Sequence, residues 1–172
     1  MSRRWYTALV VLVGVERLAE LVVSRRNAAW AFARGGVETG RGHLPAMMVL
    51  HTGLLAGSVA EVWLARRPFV PRVGGPLLAV LAGCQAVRYW CIHALGPRWN
   101  TRVIVVPGMP PVRTGPYRLL DHPNYAVVVL EGAALPLVHS AWITAAAFTV
   151  ADAALLRVRL RTEREALRKA TA

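Results

Sequence analysis

Apolar and polar positions fall in long blocks along this chain rather than in the short alternation of half-buried strands. Apolar runs occupy residues 5–23, 44–64, 76–95, 126–137 and 141–156, parted by segments rich in Arg, Gly and Pro. A helix of about 20 apolar residues, at about 1.5 Å per residue, crosses the hydrocarbon core of a bilayer. The first three runs have that length. The last two are shorter, and Pro136, His139 and Ser140 between them predict a tilted or closely packed helical hairpin. The expected architecture is an all-α integral membrane bundle of about five transmembrane helices, closed by that hairpin. Residues 1–94 read as an N-terminal region of three spans. Residues 95–172 read as a polar loop, the hairpin and a charged C-terminal helix, the whole making one structural unit.

The longest stretch unsuited to lipid runs from Leu95 to Tyr125. It carries Arg98, Arg102, Arg113 and Arg118, and six prolines, of which Pro107, Pro110, Pro111, Pro116 and Pro123 rule out a continuous helix. Loops of this length in compact proteins are usually functional or disordered, and one ending in His-Pro-Asn-Tyr at the mouth of an apolar helix reads as functional. Residues 24–43 read as a surface loop with a short interfacial helix near 27–33, where Trp30 and Phe32 suit the headgroup zone.

Composition sharpens this picture. The chain has 172 residues, 55% of them hydrophobic, and a formal net charge of +12; its mean hydropathy is +0.40. The basic residues cluster at the ends of the apolar runs, a membrane pattern that argues against a nucleic-acid partner. With the central loop and the tail in the cytoplasm, fourteen basic residues lie on that side and five on the other, as the positive-inside rule asks. This places the protein in the cell membrane with its site facing the cytoplasm. Cys84 and Cys91, about 10 Å apart along a helix, are too distant for a disulfide and read as packing residues. The first run lacks a cleavage site of small residues and is expected to stay in the mature protein.

Charges inside apolar runs call for partners. Glu16, Arg17 and Glu20 would cost several kcal/mol facing lipid. They face other helices, either as an internal ion pair or as the polar wall of a ligand cavity. On the second reading Glu16 and Glu20, with Trp99, contact the substrate. Metal and nucleotide signatures are missing: the five histidines have no metal-ligand spacing, and GxGxxG is absent, which excludes a soluble Rossmann enzyme. No metal is expected. Two polar clusters remain, Asp121-His122-Pro123-Asn124-Tyr125 with Glu131 at one end of the hairpin, and Arg157, Arg159, Arg161 and Glu163 at the other. A hairpin brings its ends to one membrane face. Together the clusters offer carboxylates for a cation, arginines for a carboxylate and aromatic faces for a ring, a set suited to a zwitterionic cofactor.

In order, Gly115-Pro116-Tyr117, His122-Pro123-x-Tyr125, the hairpin, and Arg159, Glu163 and Leu167 resemble the C-terminal pattern of the isoprenylcysteine carboxyl methyltransferase family. The likeness is strongest over residues 95–167. Asp121 stands where that pattern usually has Arg, and Arg164 where it has a second Glu. Glu16-Arg17, Glu20-Leu21 and Arg25-Arg26-Asn27 are similar to bacterial members, some of which resemble methyltransferases of alkylpyrones and alkylresorcinols.

The resemblance implies an integral membrane enzyme that uses S-adenosylmethionine, leaves S-adenosylhomocysteine and methylates an oxygen of a lipophilic substrate. That substrate would be a phenolic lipid, an alkylpyrone or a prenylcysteine-like carboxylate. It also implies that His122, Pro123, Asn124, Tyr125, Glu131 and Tyr117 hold the cofactor, while Arg159 and Glu163, with His122, serve the reaction. The plainer readings are a helix start for His122 and Tyr125, an arginine partner for Glu131, surface pairing for Arg159 and Glu163, and interface anchoring for Tyr117 and Trp99. A phenol acceptor would need a base, for which His122, Asp121 and Glu163 are candidates. The expected partners are the lipid bilayer and a lipophilic small molecule. The competing readings are a phospholipid N-methyltransferase, an NADPH-dependent membrane reductase, and a non-catalytic lipid-binding scaffold.

Overall fold

The computed structural model describes residues 1–40 and 42–171, with the side chains of His43, Leu167 and Lys169 to Thr171 left out. Five helices carry the fold: α1 (Arg3–Phe32), α2 (His43–Leu64), α3 (Pro71–Leu95), α4 (Pro123–Leu137) and α5 (Trp142–Thr171). Their starts follow local chemistry. Ser2 Oγ accepts from Trp5 N at 3.4 Å and caps α1. Pro71 and Pro123 open α3 and α4, where a missing N–H costs nothing.

The architecture differs from the all-α expectation in three ways. First, a two-stranded antiparallel ribbon pairs β1 (Val37–Thr39) with β2 (Val103–Val105), in the register Val37 to Val105. Second, α1 runs on to Phe32 instead of giving way to a loop at residue 24. Ser24 and Asn27 turn inward there and bond to the chain at 96–101: Ser24 Oγ lies 2.7 Å from Asn100 Oδ1, and Asn27 Nδ2 donates to Trp99 O at 2.7 Å. Third, among the described residues two helical stretches, Leu44–Leu64 and Pro71–Arg98, are long and apolar enough to cross a bilayer, not five. In α1 the charges of Glu16, Arg17 and Glu20 interrupt the apolar run. At 15 residues α4 is about 22 Å long, short of a core about 30 Å thick. In α5 the second arm of the hairpin and the charged tail form one 30-residue helix.

The core lies where α1, α2, α3 and the α4–α5 turn meet, around Tyr6, Val10, Val62, Leu81, Leu135 and Val138. Tyr6 satisfies its hydroxyl by donating to Leu135 O at 3.1 Å. Close approach of α4 and α5 depends on Gly132, where an added Cβ would lie 2.0 Å from the Phe148 ring. Cys84 and Cys91 are free and buried.

Glu61 of α2 closes the start of α5. Its carboxylate accepts from Ile143 N at 3.2 Å, Thr144 N at 2.8 Å and Thr144 Oγ1 at 2.8 Å, and pairs with Arg67 at 2.9 Å. A carboxylate at a helix N-terminus satisfies free N–H donors and complements the dipole. Glu61→Ala is expected to lower stability by about 1–2 kcal/mol, read as a lower thermal midpoint of the detergent-purified protein. An unchanged midpoint would mean that water serves these donors equally well.

Candidate functional site

A cavity of about 400 Å³ lies among the five helices and the 99–101 segment. Most of its wall is apolar, from Val13, Leu21, Leu54, Val128 and Leu155. Its polar groups fall in two places.

One is a buried ion network joining α1, α3 and α4. Arg17 donates to Glu20 Oε2 at 2.7 Å and to Glu16 Oε2 at 3.2 Å, and reaches Glu131 Oε1 at 3.4 Å. Arg88 forms a tight pair with Glu131 and lies 3.8 Å from Glu20 Oε2. Gln85 Nε2 donates to Glu131 Oε1 at 3.2 Å. Arg88 and Glu131 are each only 5% exposed. Three carboxylates face two guanidiniums, so with all groups ionised the network carries one excess negative charge. Glu20 Oε1 is buried with no hydrogen-bond partner among the described residues.

The other group sits where α4 begins, against the second half of α5. Tyr125 donates its hydroxyl to Glu163 Oε2 in a short bond and accepts from Arg159 Nε at 2.9 Å. Arg159 Nη1 reaches Met47 Sδ at 2.8 Å, anchoring the guanidinium against α2. The His122 ring stacks on Tyr125 at 5.3 Å, with Nδ1 3.8 Å from Glu163 Oε1. Burial pushes the Tyr125 phenol well above its usual range; Arg159 opposes that shift and Glu163 adds to it. The phenol therefore stays protonated and can bridge a carboxylate and a guanidinium at once. Burial likewise raises Tyr117, with the Cys91 thiol beside it.

Of the residues singled out from sequence, Glu20, Trp99, Asn124, Tyr125, Glu131 and Arg159 line the cavity. His122 and Glu163 sit behind Tyr125 and Arg159. Pro123 is buried as the first residue of α4, Glu16 holds Arg17 from outside, and Tyr117 lies in the short 3-10 turn Gly115–Arg118. Asp121 is exposed before α4 and does not reach the cavity wall. Arg88, His51 and Asp152 line the cavity without having been assigned a role. The available signal was that each is an ionisable group within an apolar run.

Two more cavity groups, Asn124 Oδ1 and Trp99 Nε1, are buried with no partner among the described residues. A wall with unused acceptors and a donor, carboxylates, and the Arg159 guanidinium apart from the ion network fits a ligand bearing amine, hydroxyl and carboxylate groups together. Among the described residues no cluster of His, Cys, Asp and Glu is arranged to hold a metal.

Residues 77–169 match the family model described as the isoprenylcysteine carboxyl methyltransferase (ICMT) family. The chain is also 39% identical over 162 residues to a protein of Bacillus subtilis (strain 168) described as "Uncharacterized protein YpbQ", covering 94% of this chain and 95% of that one. No solved structure matches the chain.

Removing one member of the buried network leaves its partner charged in a dry setting, at a cost of about 3–5 kcal/mol. Arg88→Met is therefore expected to lower the thermal midpoint sharply. The double variant Arg88→Met/Glu131→Leu should recover much of the loss. Additive losses in the double variant would refute the coupling.

Proposed function

Because the chain belongs to the isoprenylcysteine carboxyl methyltransferase family, a membrane-associated family of methyltransferases whose enzymes use S-adenosylmethionine, we propose that it is a membrane methyltransferase that transfers a methyl group from this cofactor to an oxygen of a lipophilic acceptor. The observation that carries the reading is the cavity: one chamber, largely apolar, with unpaired acceptors beside an acidic network and with Arg159 at its far end.

The residues present fit the cofactor. Glu20 and Glu131 would hold its hydroxyl groups, Arg159 the carboxylate of its amino-acid end, and Asn124 Oδ1 would accept from one of its N–H donors. When bound, it supplies an electrophilic methyl group on a sulfonium. Tyr125, kept protonated by burial, fixes Arg159 against Glu163, and His122 backs the Tyr125 ring. The apolar wall excludes water, which strengthens every polar contact inside and keeps the methyl group from hydrolysis.

The acceptor's tail has a route to this chamber. Leu18 of α1 and Met48 of α2 line the cavity and are 64% and 52% exposed, so both side chains reach the outer surface as well. The seam between these helices faces what would be lipid. A lipid-tailed substrate would enter there, head first, from the bilayer. The basic residues around the 95–125 segment support a cytoplasmic position for the site.

Calorimetric titration of the detergent-purified protein with S-adenosylhomocysteine and with NADPH tests the assignment. Micromolar binding of the adenosyl ligand is expected, weakened at least ten-fold by Arg159→Gln and by Glu163→Gln, with NADPH silent. Binding of NADPH alone would replace the methyltransferase by a reductase, and binding of neither by folded protein would favour a non-catalytic role.

A further inference from the structure

The wall opposite the ion network carries a second pair of ionisable groups, His51 of α2 and Asp152 of α5, to which the reading above gives no task. Both line the cavity. Asp152 is 5% exposed, and its Oδ2 is buried with no hydrogen-bond partner among the described residues. The two groups belong together. The His51 ring meets Phe148 edge-on at 5.4 Å, and Phe148 lies one turn before Asp152 on the same face of α5. His51 and Arg159 are the ionisable neighbours of the Asp152 carboxylate.

The histidine's own bond assigns its tautomer. His51 Nδ1 lies 2.9 Å from the carbonyl of Met47. A carbonyl only accepts, so Nδ1 is the donor in this bond, and in the neutral ring Nε2 is then the basic nitrogen. That nitrogen belongs to a side chain beside a carboxylate that would stabilise the protonated ring. An isolated buried carboxylate is costly, and this one has an unused oxygen on the wall of a ligand chamber.

We propose that His51, supported by Asp152, is the proton acceptor for a hydroxyl on the methyl acceptor, so that the enzyme's substrate class is a lipid-tailed phenol or enol rather than a carboxylate. This rests on the methyltransferase reading. The hydroxyl oxygen gains the methyl carbon while the donor's C–S bond breaks and leaves its electron pair on sulfur. The hydroxyl proton passes to His51 Nε2, and the imidazolium so formed faces Asp152 until the proton leaves to solvent. A carboxylate acceptor has no proton to give and would meet Asp152 as a like charge.

The test uses no cofactor. The probe is an alkyl-substituted 4-nitrophenol, whose ionised form absorbs in the visible, bound to the purified protein at a pH below the probe's own solution pKa. The expected result is a phenolate band from bound probe, at least ten-fold weaker in His51→Gln and in Asp152→Asn. S-adenosylhomocysteine titration and thermal midpoints of the same variants verify that they are folded. Bound probe that stays neutral in the wild type would overturn the proposal, as would a band that survives His51→Gln. So would failure of the probe to bind protein that still takes S-adenosylhomocysteine, an outcome that leaves the methyltransferase reading standing. With cofactor present, turnover of a hydroxyl acceptor should fall about 10²–10⁴-fold in both variants.

Discussion

The contact between Arg88 and Glu131, extended by Arg17 and Glu20, is the constraint on which the rest of the arrangement depends. The outer face of α1 shows Val11, Leu12, Val15, Leu18 and Val22 to its surroundings. In lipid such a face gains nothing by meeting another helix, since the tails are as apolar as the side chains. Helices must then be held by polar contacts and by close backbone approach. The network provides the first for α1, α3 and α4. Gly132 provides the second for α4 and α5, and Glu61 ties α2 to the start of α5. A buried network of this kind is weak evidence for stability in itself. Its consequence here is geometric, because it sets one polar wall of a chamber whose other walls are free to be apolar.

The clamp at the other end works through one neutral group between two charged ones. Tyr125 is useful between Glu163 and Arg159 only while it keeps its proton, and burial ensures that. The chain at 96–101 is held by Ser24 and Asn27 of α1, so that Trp99, Asn100 and Thr101 face the cavity. Two polar ends, one acidic and one with a fixed guanidinium, give the chamber a direction.

Helix existence was readable from the sequence because apolar blocks and proline punctuation agree for α2, α3 and α4. The errors came where polar residues face inward. Ser24-Arg25-Arg26-Asn27 looks like the start of a loop, yet Ser24 and Asn27 serve contacts with residues over seventy positions away, which one chain segment cannot reveal. The ribbon failed for the same reason, since its three-residue strands are defined only by pairing Val37–Thr39 with Val103–Val105. Reading spans from apolar runs overcounted them: the charges of α1 interrupt its run and turn into the network, α4 is short, and α5 continues through the onset of its arginines because nothing in that stretch breaks a helix. At the site, the motif residues were legible as a string, but which of them touch the cavity was not. His122 and Glu163 stand behind the wall; Arg88, His51 and Asp152, ionisable groups within apolar runs, form part of it.

The distribution of charge around the chamber bears on which acceptor it suits. Methylation of a hydroxyl does not destroy charge. It moves one positive unit from the methyl donor to whatever takes the proton, and in a dry cavity that unit must always be beside a negative partner. The acidic network around Glu20 and Glu131 can face it at the beginning, and Asp152 can face it at the end if His51 receives the proton. Methylation of a carboxylate instead cancels one charge against another, and needs no second anion waiting on the far wall. A buried, unsatisfied aspartate opposite an acidic network is a liability for the second reaction and a requirement for the first. If His51 takes the proton, as proposed, the position of Asp152 suits transfer to a hydroxyl better than transfer to a carboxylate.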